Sequence, residues 1–171
     1  MKRGTKNMST FLSDKRISEM YEAHFAEILG GTHNITNIDD HGVDIILGDK
    51  KIDVKAFRKP QFGIQYDGIY LETKQKSGKD GWFVDETKYT THYLFLKDCD
   101  TRHIQYDRGW LISKKRLQEA VRIAILRMDF PLVKGKFTDG RILPYEYLDT
   151  FAERIFIGGK EKIGRASCRE R

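Results

Sequence analysis

The chain has 171 residues, 39% hydrophobic and 33% charged, which suits one domain with a core of its own. No apolar run approaches the ~20 residues that cross a bilayer, the basic start Met1-Lys2-Arg3 leads into no signal-type apolar stretch, and two cysteines supply neither a disulfide framework nor a zinc cluster. These features point to an intracellular, reducing compartment, the cytoplasm by default. The formal charge is +6, but Lys162, Arg165, Arg169 and Arg171 against Glu170 put +3 of it in residues 162–171.

In chain order, residues 1–13 read as a lead-in. Ser13 or Asp14 is placed to cap a helix running to about Leu29, with Ile17, Met20, Tyr21, His24, Phe25 and Ile28 as its apolar stripe and Gly30-Gly31 as its stop. Glu22 lies at the border of that stripe and Glu19 further round. His33–Ile38 is a short strand, and Asp39-Asp40-His41-Gly42 is a turn whose His41 is a candidate ligand. Val43–Ala56 then alternates with period 2 on both sides of Gly48-Asp49, the pattern of a hairpin.

A two-residue turn at Gly48-Asp49 sets Leu47 opposite Lys50, Ile45 opposite Ile52 and Val43 opposite Val54. A one-residue slip would scatter these apolar residues over both faces. The same register sets Asp44 opposite Asp53, with Lys55 on that face two residues along. Carboxylates so placed repel each other unless a proton or cation lies between them. Two readings fit: a surface hairpin with scattered charges, or a site for a hard divalent ion such as Mg²⁺ or Mn²⁺ beside a lysine.

Further along, Pro60 ends the second strand of the hairpin and Ile69–Glu72 is a third strand. Lys74–Gly81 is a basic, glycine-containing loop, with Trp82-Phe83 after it. His92–Leu96 is a strand, and Ile104–Ile112 another, interrupted by Asp107-Arg108-Gly109. Ser113 caps a helix over about Lys114–Met128, with Leu117, Val121, Ala124, Ile125 and Met128 inward and a basic outer face of Lys114, Lys115, Arg116, Arg122 and Arg127. Gly135–Gly140 is loop, and Pro144–Phe156 is a helix or a helix leading into a strand. The segment Lys162–Arg171 is similar to the conceptual translation of a sequencing adapter, which leaves 1–161 as a single domain and removes the basic tail as a binding arm.

A helix carrying an acid, a strand with Asp44, and a second strand with Asp53-Val54-Lys55 resemble, over about Ser13–Lys97, the PD-(D/E)XK nuclease superfamily, with likeness to its phage, junction-resolving and restriction-type members. Asp44 takes the place of the family's first aspartate, although Val43 stands where a proline is common, and Asp53-Val54-Lys55 takes that of (D/E)XK. The helix segment selects Glu22, and a shift of one turn would select Glu19. The resemblance implies an α/β fold with a central mixed β-sheet flanked by helices, a restriction-endonuclease-like core. It also implies a Mg²⁺- or Mn²⁺-dependent deoxyribonuclease, endonuclease rather than exonuclease, acting as a homodimer on DNA. Asp44, Asp53 and Glu22 would be metal ligands, and Lys55 would join them as a catalytic group. Glu72 is a lesser candidate for the same cleft. Arg58, Lys59, Lys74, Lys76, Lys79 and Trp82 would bind nucleic acid, the cations by phosphate contact and Trp82 by stacking, or Trp82 serves as a core anchor. The readings from other classes are a nucleic-acid-binding or assembly protein that keeps the fold without turnover, and a metal hydrolase of small molecules.

Overall fold

The computed structural model describes residues 6–35, 42–58, 67–127, 132–158 and 160–162, with backbone alone at 6–14, 124–127 and 160–162. The elements in order are α1 (Lys6–Leu29), β1 (Thr32–His33), β2 (Ile45–Leu47), β3 (Lys50–Arg58), β4 (Gly68–Gln75), β5 (His92–Cys99) and β6 (Arg108–Ser113). There follow α2 (Lys114–Arg127), β7 (Leu132–Lys134), β8 (Thr138–Pro144), α3 (Tyr145–Phe151), β9 (Arg154–Ile157) and β10 (Lys160–Lys162). No helix among the described residues is long and apolar enough to cross a membrane.

The hairpin closes in the expected register from Leu47 back to Ile45, where the ladder ends, so the expected pair Val43–Val54 does not form. Ile45 faces Ile52 and Leu47 faces Lys50, with Gly48 at φ +58 in the turn, a conformation glycine adopts at little cost. Seven strands then form one sheet in the order β1-β2-β3-β5-β6-β9-β10. β3 and β5 run parallel, while the other neighbouring pairs are antiparallel, so the sheet is mixed. A parallel neighbour requires a long crossover. That crossover contains β4, which pairs instead with β8 and β7 in a second, three-stranded sheet.

The large sheet has two buried faces. Ile45, Ile52, Val54, Leu94, Leu96 and Leu111 pack with Tyr21, Phe25, Ala26 and Leu29 of α1. Tyr93, Phe95, Trp110 and Ile112 pack on the other side with Ile69 and Leu71 of β4, Leu117 and Val121 of α2, and Leu148 of α3. The alternation of each strand thus feeds two cores, one per face. The architecture is α/β, with α1 on one side and the small sheet, α2 and α3 on the other.

Several boundaries depart from expectation. Helix α1 begins at Lys6 rather than at a cap near Ser13, since no proline or glycine between Lys6 and Ser13 stops it. Its end is as expected: Gly30 has φ +71, and the pair of bonds from Gly31 N–H to Ala26 C=O (2.8 Å) and Gly30 N–H to Glu27 C=O (3.1 Å) satisfies the last turn. Strand β1 covers only Thr32–His33, and Asn34 and Ile35 leave it; residues 36–41, with the expected turn and His41, lie outside the described set. Strand β4 runs into the expected Lys74–Gly81 loop as far as Gln75, β6 starts at Arg108 instead of Ile104, and β8 takes up Thr138–Gly140. Gly109 and Gly140 mislead as breakers. Each sits in a strand where Leu96, or the Leu71 carbonyl and the Tyr70 ring, fills the space of a Cβ. The segment 144–156 resolves into α3 followed by a strand. The expected inward Met128 lies outside the described residues.

Gly81 is a close approach of the same kind, because its missing Cβ would strike the backbone of Glu72. Its N–H donates to the Thr73 carbonyl at 3.0 Å, which lays the chain against β4 just before Trp82. Gly81→Ala is expected to lower stability by about 1–3 kcal/mol, read from the midpoint of urea unfolding. An unchanged midpoint would show that this approach is relaxed.

Candidate active site

Strand β3 sends Ile52 and Val54 toward α1, so alternation turns Asp53, Lys55 and Phe57 to the opposite face, beside Tyr93 and Phe95 of β5. Asp53 is 6% exposed, the one acid buried to that degree among the described residues. Lys55 Nζ lies 2.9 Å from Asp53 Oδ1. The same ammonium stands over the Trp82 ring, 5.1 Å from its centroid. The indole meets Tyr93 and Phe95 with centroids 5.2 and 6.1 Å away. Trp82 is therefore half-buried on the aromatic core of this face and also borders the lysine.

Asp44 stands just before β2, so Asp44 and Asp53 are not a ladder pair, contrary to the register argument. The regular ladder stops at Ile45 and polar bonds take over. Asp44 N–H donates to the Ile52 carbonyl at 2.8 Å, and Val54 N–H donates to Asp44 Oδ2 at 2.7 Å. A carboxylate thus replaces a main-chain acceptor of β3. Asn34 holds the same stretch: its N–H donates to the Asp44 carbonyl at 2.7 Å and its side-chain amide to the Val43 carbonyl at 2.9 Å.

Glu22 reaches this group from α1. Its side chain is 13% exposed, and His33 Nε2 of β1 lies 3.1 Å from its Oε2. Glu19, the alternative acid, is half-exposed and stands 3.8 Å from Lys15. Burial, then Asp53, then Glu22 push the Asp44 carboxyl up to about 7, against the opposing pull of Val54 N–H and Lys55. Burial likewise raises Glu22; the His33 bond and charge oppose this, while Glu19 and Asp53 add to it. Glu22, Asp44, Asp53 and Lys55 form one electrostatically coupled group.

Among the described residues, no set of three or more His, Cys, Asp or Glu side chains forms a ready-made metal cage. Each carboxylate is already engaged: Asp53 with Lys55, Asp44 with Val54 N–H, Glu22 with His33.

The expected nucleic-acid contacts are dispersed. Arg58 is exposed at the end of β3 and Lys79 is exposed in the β4–β5 connection, while Lys59 lies outside the described residues. Lys74 pairs with Asp80 at 3.3 Å and Lys76 with Asp139 at 2.5 Å, so part of the expected positive loop is neutralised. Glu72 is half-buried, with Gln75 Nε2 3.4 Å from its Oε1. On α2, Lys115, Arg116 and Arg122 are exposed, whereas Lys114 donates to the Asp85 carbonyl at 3.2 Å.

The sequence reading missed three neighbours of the site: His33, Asn34 and Lys88. A Cβ at Gly42 would stand 3.2 Å from Lys88 Cδ and 3.6 Å from Asp53 Oδ2, so this glycine leaves room for both side chains. Gly42 has φ +71, and its carbonyl accepts from Thr90 Oγ1 at 2.8 Å. Lys88 arrives from a distant loop, and no local spacing marks it. His33 and Asn34 do lie in the segment between the acidic helix and the hairpin, where a polar pair at a strand start was the available signal.

Compared with protein-family models, with curated proteins and with solved structures, the chain matches none.

The raised Asp44 gives a pH signature. The folded chain holds a proton there that the unfolded chain releases, so between pH 3.8 and about 7 the folded state binds more protons. Stability from that source falls as pH rises through this window. In chelator-treated protein, Asp44→Asn is expected to gain about 1–3 kcal/mol on the parent between pH 5 and pH 8, measured by urea unfolding at both pH values. A pH-independent difference would show that Asp44 titrates normally.

Proposed function

We propose that the chain is a metal-dependent nuclease that hydrolyses DNA phosphodiester bonds, an endonuclease built on a restriction-endonuclease-like core. One observation carries the reading: Glu22, Asp44, Asp53 and Lys55, drawn from a helix, a strand entrance and a strand, meet in a single coupled group. The order of helix, antiparallel hairpin and parallel strand supports the fold part of the proposal.

The donors fit a hard cation. They are carboxylate oxygens, and burial together with mutual repulsion raises two of them, a cost that positive charge relieves. Asp44, Asp53 and Glu22 would hold Mg²⁺ or Mn²⁺, which would supply charge compensation at the scissile phosphate and a more acidic water.

The chain's own groups do the rest. Lys55 brings a compact ammonium beside Asp53, suited to offset charge that grows on the phosphoryl oxygens. Trp82 limits where that ammonium can go, through its face and its packing on Tyr93 and Phe95. Arg58, Lys59 and Lys79 would hold the phosphate backbone, and Lys74 and Lys76 would exchange Asp80 and Asp139 for phosphates, contacts that weaken with salt. A homodimer on DNA belongs to the same proposal, by analogy of fold.

The test is to incubate supercoiled, linear, branched and single-stranded DNA with the protein, with and without Mg²⁺ or Mn²⁺. Metal-dependent cleavage is expected, and Asp53→Ala and Lys55→Ala should each lower kcat by about 100-fold or more. Lys55→Arg should not restore it, since a planar fork does not replace a compact ammonium. No cleavage of any substrate with either metal, or variants that cut as fast as the parent, would sink the proposal. DNA retention without cleavage would favour a binding protein without turnover.

A further inference from the structure

Strand β1 is the shortest strand among the described residues. It is two residues long, at the sheet edge, with Thr32 exposed. Yet the dipeptide His33-Asn34 makes one polar contact to an acid of the site and two to the backbone at Val43-Asp44: His33 to Glu22 at 3.1 Å, Asn34 N–H to the Asp44 carbonyl at 2.7 Å, and Asn34 Nδ2 to the Val43 carbonyl at 2.9 Å. Neither acid is placed by a regular ladder. Glu22 projects from a helix, and Asp44 precedes its strand. His33 also pairs with Ile45, the residue after Asp44. The imidazole that touches Glu22 is thereby tied to the backbone that carries Asp44.

We propose that His33 and Asn34 are positioning residues of the acidic site, a role that rests on the nuclease reading. The imidazole sets the Glu22 carboxylate, and the two Asn34 amide groups set the backbone from which Asp44 projects. With Glu22 ionised, its carboxylate only accepts hydrogen bonds, and His33 then presents Nε2–H to it. The packing of α1 on Ile45 and Ile52 sets the helix against the hairpin, and this bridge then fixes how the two acids project from them. Such supports of ligating groups typically shift metal affinity by 10–100-fold when removed.

The experiment uses the full chain and Mn²⁺ as the probe. Calorimetric titration of metal-free protein is expected to give about 10-fold weaker Mn²⁺ binding for His33→Leu and for Asn34→Ala, at a temperature below both variants' thermal midpoints so that each is folded. His33→Gln, which keeps an amide donor, should recover most of the affinity. In cleavage, His33→Leu should raise the half-saturating metal concentration and leave the KM for DNA unchanged. Long-range ¹H–¹⁵N spectra of the metal-free protein should place the His33 proton on Nε2, with that resonance moving on Glu22→Gln. Parental Mn²⁺ binding by a folded His33→Leu, or failure of His33→Gln to recover, overturns the proposal. If the parent binds no Mn²⁺ and cuts nothing, the nuclease reading falls alone. The spectra then decide the bridge, and a His33 resonance indifferent to Glu22→Gln overturns it.

Discussion

Burying carboxylates beside one another is the constraint on which this site depends. An isolated charge taken from water costs several kcal/mol after relaxation, and each added acid raises the cost for the others. The chain meets it with specific partners: an ammonium at 2.9 Å for Asp53, a main-chain N–H at 2.7 Å for Asp44 and an imidazole at 3.1 Å for Glu22. The compensation is incomplete, and Asp44 remains near neutrality in its proton affinity. A group in that condition is poised to exchange a proton for another positive charge. Perturbed carboxylates of this kind cluster at functional sites, although structural ion-pair networks also produce them.

The scaffold makes this arrangement possible by splitting one strand between two tasks. β3 gives Ile52 and Val54 to the core under α1, and its alternate residues Asp53 and Lys55 to the other face. The apolar half holds the register, so the polar half inherits a fixed position. The crossover between β3 and β5 then covers the second face with β4 and brings Trp82 over Lys55. A parallel neighbour for β3 is therefore more than a topological detail. It forces a long connection, and that connection carries the aromatic wall of the site and, further on, Lys88.

Much of this was legible in the residues. The hairpin register followed from matching apolar positions, because a period-2 pattern tolerates no one-residue slip. The stop of α1 followed from Gly30-Gly31, since a left-handed residue is the cheapest way to finish a helix. Glycines inside strands were misread. Gly109 and Gly140 serve close packing across the sheet, and close packing is invisible to local pattern. The start of α1 was misjudged because a cap signal at Ser13 competes with an uninterrupted run of helix-compatible residues before it.

By itself the sequence determined the hairpin, the pairing of Ile45 with Ile52 and the presence of Asp53 and Lys55 on one face, all consequences of local period and turn chemistry. The tertiary structure alone decided that Asp44 binds the Val54 N–H instead of facing Asp53 across the ladder, that Glu22 rather than Glu19 joins the group, and that Lys74 and Lys76 are partly neutralised. It also decided the neighbours His33, Asn34, Trp82 and Lys88. The physical reason is the same in each case: these contacts join elements far apart in the chain or set a side chain's direction in space, and neither is encoded in the spacing of residues along one element.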